Sequence, residues 1–151
     1  MKLFIIGVPR LIAPLADSLA EELGIKAVNI DDLFLDRSRD EGEALLNEAV
    51  SEADWVVYGE EFSGRERVMR ASTLIVTVRS PLIRSLIALR GATPEERRAT
   101  LRSRRRLNSR DSSAKLNIRL VSFSYKVRKV KGALSLAKLR REISLRRSEE
   151  R

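Results

Sequence analysis

Four short apolar runs, separated by helix-like stretches, constrain this chain most. They are Lys2–Ile6 (KLFII), Lys26–Ile30 (KAVNI), Asp54–Tyr58 (DWVVY) and Ser72–Val78 (STLIVTV). After the first, Leu15, Leu19 and Leu23, with Ala16 and Ala20, recur at i, i+4 and i+8 and predict one apolar helix face, which Gly24 ends at a C′-type position. Glu43–Ala53 predicts a second helix before the third run. Strands alternating with helices of about 10–15 residues imply parallel βαβ units. Strands without polar alternation imply a sheet covered on both faces.

A chain of 151 residues is expected to form a single domain, 1–151, and to bury roughly two-thirds of its unfolded surface. There is no Cys, which excludes disulfides and thiolate metal sites, and no His, which excludes imidazole ligands and Ser-His-Asp catalysis. No metal and no cofactor is expected. The opening MKLFIIGVPRLIAPLADSLA superficially resembles a signal peptide, but Pro9 and Arg10 interrupt its apolar run and an amphipathic helix follows. No stretch reaches the ~18 apolar residues of a membrane span, so the expected location is cytoplasmic.

The segment after the first run has the layout of a phosphate-binding loop, G-x-x-x-x-G-K-[ST], counted from Gly7. Its second glycine position holds Ile12, its lysine position Ala13 and its hydroxyl position Pro14. In such a loop, glycines let backbone N–H groups curl round the phosphates, Lys neutralises them and Ser/Thr ligates Mg²⁺. Ile12 restricts the backbone, Ala13 removes the charge, and Pro14 removes a hydroxyl and a donor. Gly7, Arg10, Ile12, Ala13 and Pro14 are therefore read as a vestigial phosphate loop. Arg10 is either a partial replacement for the lysine or a solvated loop residue.

The charge is divided along the chain. Residues 1–78 hold 8 Lys+Arg and 15 Asp+Glu, a net of −7, whereas residues 79–151 hold 22 and 6, a net of +16. That second half reads as helical. Leu82, Leu86 and Leu89 mark one helix. Thr93-Pro94-Glu95-Glu96 is a helix start, with Thr as N-cap, Pro at the first position and Glu closing a capping box. The helix it opens carries Arg97, Arg98, Arg102, Arg104, Arg105 and Arg106. Asn108–Ser113 is a polar break. Lys115–Val130 is read as a helix, with the alternation over Val121–Val127 keeping a strand as the alternative. Leu134–Leu145 is a last basic helix.

These pieces, in this order, resemble the small adenylate-kinase-like P-loop proteins known as DNA topology modulation proteins. KLFIIGVP looks like the family's first strand and loop start, LADSLAEELGI its first helix, VNIDDLF its second strand with the acid after it, DWVVYGEEFSG its third strand and turn, and ASTLIVTVRSPLIRSLIALR its fourth strand and Arg-bearing helix. The resemblance covers about residues 2–90. It implies an α/β P-loop NTPase fold of the nucleotide-kinase type, a parallel sheet of about four strands flanked by helices. A kinase-like core, 1–90, would be followed by a basic helical lid or arm, 91–151. It also implies that Asp31 and Asp32 stand on the acceptor side, which the residues alone allow equally as a helix N-cap, and that Arg79, Arg84 and Arg90 correspond to lid arginines. Val78 stands where relatives carry an Asp. Glu60 and Glu61 are read as a solvated acidic rim.

Several groups that would stabilise a phosphoryl-transfer transition state are absent, and each is worth about a hundred- to a thousand-fold in rate. No catalytic residue is assigned. The expected function is that of a catalytically inactive kinase-like protein, a binding or regulatory protein acting through its basic half. Its partner would be another protein, including a second copy of itself, or nucleic acid. Arg79, Arg84, Arg90, Arg97, Arg98, Arg102, Arg104, Arg105 and Arg106 form the expected polyanion-binding set. The alternatives are a nucleic-acid-binding protein using the Arg helix and a residual nucleoside or nucleotide kinase.

Overall fold

The computed structural model describes residues 1–60, 65–79, 89–107 and 109–149. Its elements in chain order are β1 (Lys2–Ile6), α1 (Pro9–Leu23), β2 (Ala27–Asn29), α2 (Ile30–Phe34), α3 (Arg39–Ser51), β3 (Trp55–Gly59), α4 (Arg65–Ala71), β4 (Leu74–Val78), α5 (Pro94–Leu107), α6 (Arg110–Val121), a 3₁₀ turn (Ser124–Lys126), β5 (Val127–Val130) and α7 (Ala133–Glu149). The strands form one five-stranded sheet, ordered β2-β3-β1-β4-β5, and every pairing is parallel.

Period-2 alternation sends the two sides of each strand into separate cores. Leu3, Ile5, Val56, Leu74 and Val76 pack against Ile12, Ala16 and Leu19 of α1 and against Leu139 and Ile143 of α7. Phe4, Ile6, Trp55, Val57 and Ile75 pack against Leu46 of α3, Val68 and Met69 of α4 and Leu120 of α6. This three-layer arrangement is why the strands read as continuous apolar runs. Gly24 ends α1 as its spacing predicts, with φ 72° and its N–H donating to the carbonyls of Ala20 and Glu21.

Two expectations change. The sheet has five strands, not about four. The fifth lies inside the segment read as helix: α6 stops at Val121 and Val127–Val130 pairs with β4, Ile75 opposite Val127 through Val78 opposite Val130. The second half is therefore no helical appendage, since it supplies an edge strand and a helix of the core. In addition, α3 begins at Arg39 rather than Glu43, because Ser38 and Glu41 make a reciprocal capping box. The helix marked by Leu82, Leu86 and Leu89 lies almost wholly outside the described residues. Among the described residues no helix is long and apolar enough to cross a membrane.

Candidate functional site

β1 is followed by a helix on one face of the sheet and β3 by a helix on the other, so a crevice opens between their carboxyl ends, the usual ligand position in such a sheet. Here it is a cleft of about 690 Å³. Val8, Pro9 and Arg10 line it from the β1–α1 junction, Asp31 and Leu35 from beyond β2, and Glu60 from the end of β3. Helix α5 roofs it with Glu96, Ala99, Thr100, Arg102, Ser103 and Arg106.

The junction that resembles a phosphate loop is almost entirely helix. Only Gly7 and Val8 separate β1 from α1, and Pro9 takes the first helical position. Pro9 has no N–H, and the N–H groups of Leu11 and Ile12 both donate to the Val8 carbonyl, at 2.9 and 3.1 Å. Ile12 is 1 % exposed and covers Gly7 so closely that a Cβ there would lie 2.7 Å from its Cγ2. The segment from Pro9 to Pro14 is thus a helix turn with a core side chain over Gly7, not an open loop of convergent N–H groups. Ala13 and Pro14 lie further along the helix. Pro14 stands in its interior, where its nitrogen has no hydrogen to give the Arg10 carbonyl.

Arg10 lies in the first turn of α1, lines the cleft and pairs with Glu96 of α5 at 2.7 Å. Glu96 also closes the expected capping box, accepting from the Thr93 N–H at 2.7 Å while its own N–H donates to the Thr93 hydroxyl at 3.2 Å. These bonds hold its carboxyl below the ordinary range, the Thr93 N–H first and Arg10 next. At the other end of α5, Arg106 pairs with Glu60, whose side chain is only 5 % exposed. Glu60 is thus a buried anchor for α5 and not a solvated rim residue. Glu61 lies outside the described residues. Arg10 and Glu60 together tie the basic helix down at both ends over the crevice.

Asp31 sits at the floor. It is not an N-cap: Asn29 caps α2, accepting from the Asp31 N–H at 3.1 Å, and the Asp31 carboxylate accepts from the Glu60 N–H at 2.9 Å. Burial raises its pKa from 3.8 to about 6 against the opposing pull of Arg106. Gly59 permits this close approach, with φ 150° and a would-be Cβ 2.7 Å from Asp31 Oδ2 and against Ile30. Asp32 is exposed and lines no part of the cleft.

The expected cationic set divides. Arg102 and Arg106 line the cleft, and Arg97, Arg98 and Arg105 are exposed. Arg104 is half-buried, and its Nε, like the Ser103 hydroxyl, is a buried polar atom without a hydrogen-bond partner among the described residues. Arg90 is exposed in the turn before α5. Arg79 follows β4 and lines a different cavity. Arg84 lies outside the described residues. Glu96 is a site residue that the sequence marks only as part of a capping box. The pairing of Glu60 with Arg106, 46 positions apart, leaves no sequence signal.

No protein-family model and no curated protein matches this chain. Among solved structures it is similar to shikimate kinase from Acinetobacter baumannii in complex with shikimate, at TM-score 0.50 and 14 % identity, over 97 % of this chain and 93 % of that one. At that identity the likeness shows the fold alone. Together with the five-stranded parallel sheet, it gives the chain the α/β architecture of the P-loop kinases.

Proposed function

We propose that this chain is a P-loop-kinase-fold protein that does not transfer phosphoryl groups from ATP and works as a binding protein, with α5 as its contact for a polyanionic partner. The β1–α1 junction carries the reading: Ile12 fills the space over Gly7, and Pro9 starts a helix where phosphate-facing amides would be needed. The finer resemblance to DNA topology modulation proteins fits such a history. The exposed residues Arg98, Arg102 and Arg105 fall within about 60° of one another at 100° per residue, forming one cationic stripe. Like charges at this spacing repel by a few tenths of a kcal/mol each, a cost that a polyanion removes. The partner is an acidic protein surface or nucleic acid. For nucleic acid, counterion release would give salt-sensitive binding with little base specificity.

Two measurements test this. Calorimetric titration with Mg-ATP is expected to show no saturable binding, and a micromolar Kd would overturn the loss of the phosphate site. Duplex DNA binding and partner capture from nuclease-treated lysate are then compared with an Arg98→Gln, Arg102→Gln, Arg105→Gln variant. If DNA is the partner, the slope of log K against log salt falls by about 3 in the variant. If a protein is the partner, capture is lost in the variant. A variant indistinguishable from the parent in both assays refutes the role of α5.

A second reading, a residual nucleoside or nucleotide kinase, draws on Asp31, a strand-end carboxyl with a pKa raised to about 6 in the cleft. ADP release dependent on Asp31 would favour it.

A further inference from the structure

We propose that the carboxyl ends of β4 and β5 form a second site, separate from the cleft under α5, for a compact oxyanion of the phosphate type. Thr77 stands opposite Lys129, and the ladder continues with the Arg79 N–H donating to the Val130 carbonyl at 3.2 Å. Side chains alternate along a strand, so Thr77, Arg79, Lys129 and Lys131 share the face that begins with the core residues Ile75 and Val127. That face is apolar at its lower end and cationic at its upper end. Leu116, Asn117 and Leu120 of α6 cover it and enclose a cavity of about 230 Å³.

The lining holds three cations, a hydroxyl and a carboxamide and, among the described residues, no carboxylate. Like charges gathered on one sheet face repel, and an anion turns that repulsion into binding. The volume selects the ligand. It lies below the ~300–1,000 Å³ of sites that hold drug-sized molecules, which fits a phosphate with some of its water and not a whole nucleotide. Among the described residues, the cavity shares no lining residue with the α5 cleft.

The test is an ¹⁵N NMR titration of the full chain with inorganic phosphate and, separately, ribose 5-phosphate, each referenced to sodium chloride at equal ionic strength. Saturable shifts are expected at the amides of Asn117, Lys129, Lys131 and Gly132. The tighter of the two probes tells free phosphate from a phosphate monoester. The Lys129→Gln, Lys131→Gln variant should bind at least tenfold more weakly, and Lys26→Gln, an exposed cation outside both cavities, should bind as the parent does. Shifts no larger than those with chloride, or shifts centred on Val8, Arg10, Asp31 and Glu60, would overturn the proposal. A folded double variant that binds like the parent would overturn it too. If that variant does not fold, the map of shifts on the parent chain decides by itself. The Mg-ATP and α5 measurements do not bear on this outcome.

Discussion

Replacing Asp31 by Asn should stabilise the protein at neutral and alkaline pH and leave it unchanged in acid. The carboxyl's pKa is about 6 in the folded chain against an ordinary 3.8, chiefly through burial, so the folded state holds a proton that the unfolded chain has released. Stability then falls as pH rises from about 3.8 to about 6, and the full cost persists above that. The difference between the two values corresponds to at most about 3 kcal/mol. The carboxyl is only half-buried, so solvent screening reduces this to ~1.5 kcal/mol. Asn keeps an oxygen that can accept the Glu60 N–H now held at 2.9 Å, so the hydrogen bond survives while the charge goes. One opposing effect has to lose: Asp31 lies in the first turn of α2, where a negative charge gains about 0.3–1 kcal/mol from the helix dipole. Urea unfolding of both proteins from about pH 4 to about pH 8 measures the balance. The expected curves coincide near pH 4 and separate by ~1.5 kcal/mol, Asn above Asp, near pH 8. A gap that does not vary with pH, or an Asn variant less stable at pH 8, would refute burial as the dominant influence on this residue.

Three further outcomes follow from the same geometry. Arg106→Gln leaves the buried Glu60 carboxylate without its cation and should cost about 2 kcal/mol in urea unfolding, and adding Glu60→Gln should recover part of that loss. Gly59→Ala combines an unfavourable φ of 150° with collisions against Ile30 and Asp31 and should cost about 2–4 kcal/mol by thermal or urea unfolding. Ile12→Ala, which empties a fully buried position over Gly7, should cost about 3 kcal/mol in urea unfolding without creating calorimetric ATP binding, because the helix start at Pro9 remains.

Much of the fold is legible because its signals are local. The apolar runs of β1 to β4, the spacing of Leu15, Leu19 and Leu23, the stop at Gly24 and the capping box from Thr93 to Glu96 each declare themselves within a few residues. The Ser38–Glu41 box is equally readable in Ser-Arg-Asp-Glu. β5 is not. In VRKV the two valines lie three apart, on opposite sides of the strand, so they show neither clean alternation nor a helical stripe. Its pairing partner β4 ends 49 residues earlier. The alternation seen over Val121–Val127 belongs instead to a helix end and a 3₁₀ turn. The Gly7–Pro14 segment reads as a loop only when its glycine is weighed above Pro9, a residue well suited to open a helix.

Local chemistry in the sequence thus determined the layered α/β class, the two-faced burial of the strands and the helix start behind the first strand. The charge partition was equally plain from composition. Only the tertiary structure decided what that charge does. It folds the basic helix back over the carboxyl ends of β1 and β3, where Arg106 and Glu96 of α5 find Glu60 and Arg10 of the first half. It also brings Thr77 and Arg79 beside Lys129 and Lys131. The two ion pairs that hold α5 join residues 46 and 86 positions apart. They exist because burying both faces of the sheet forces the strand ends together, and no periodicity along the chain encodes that.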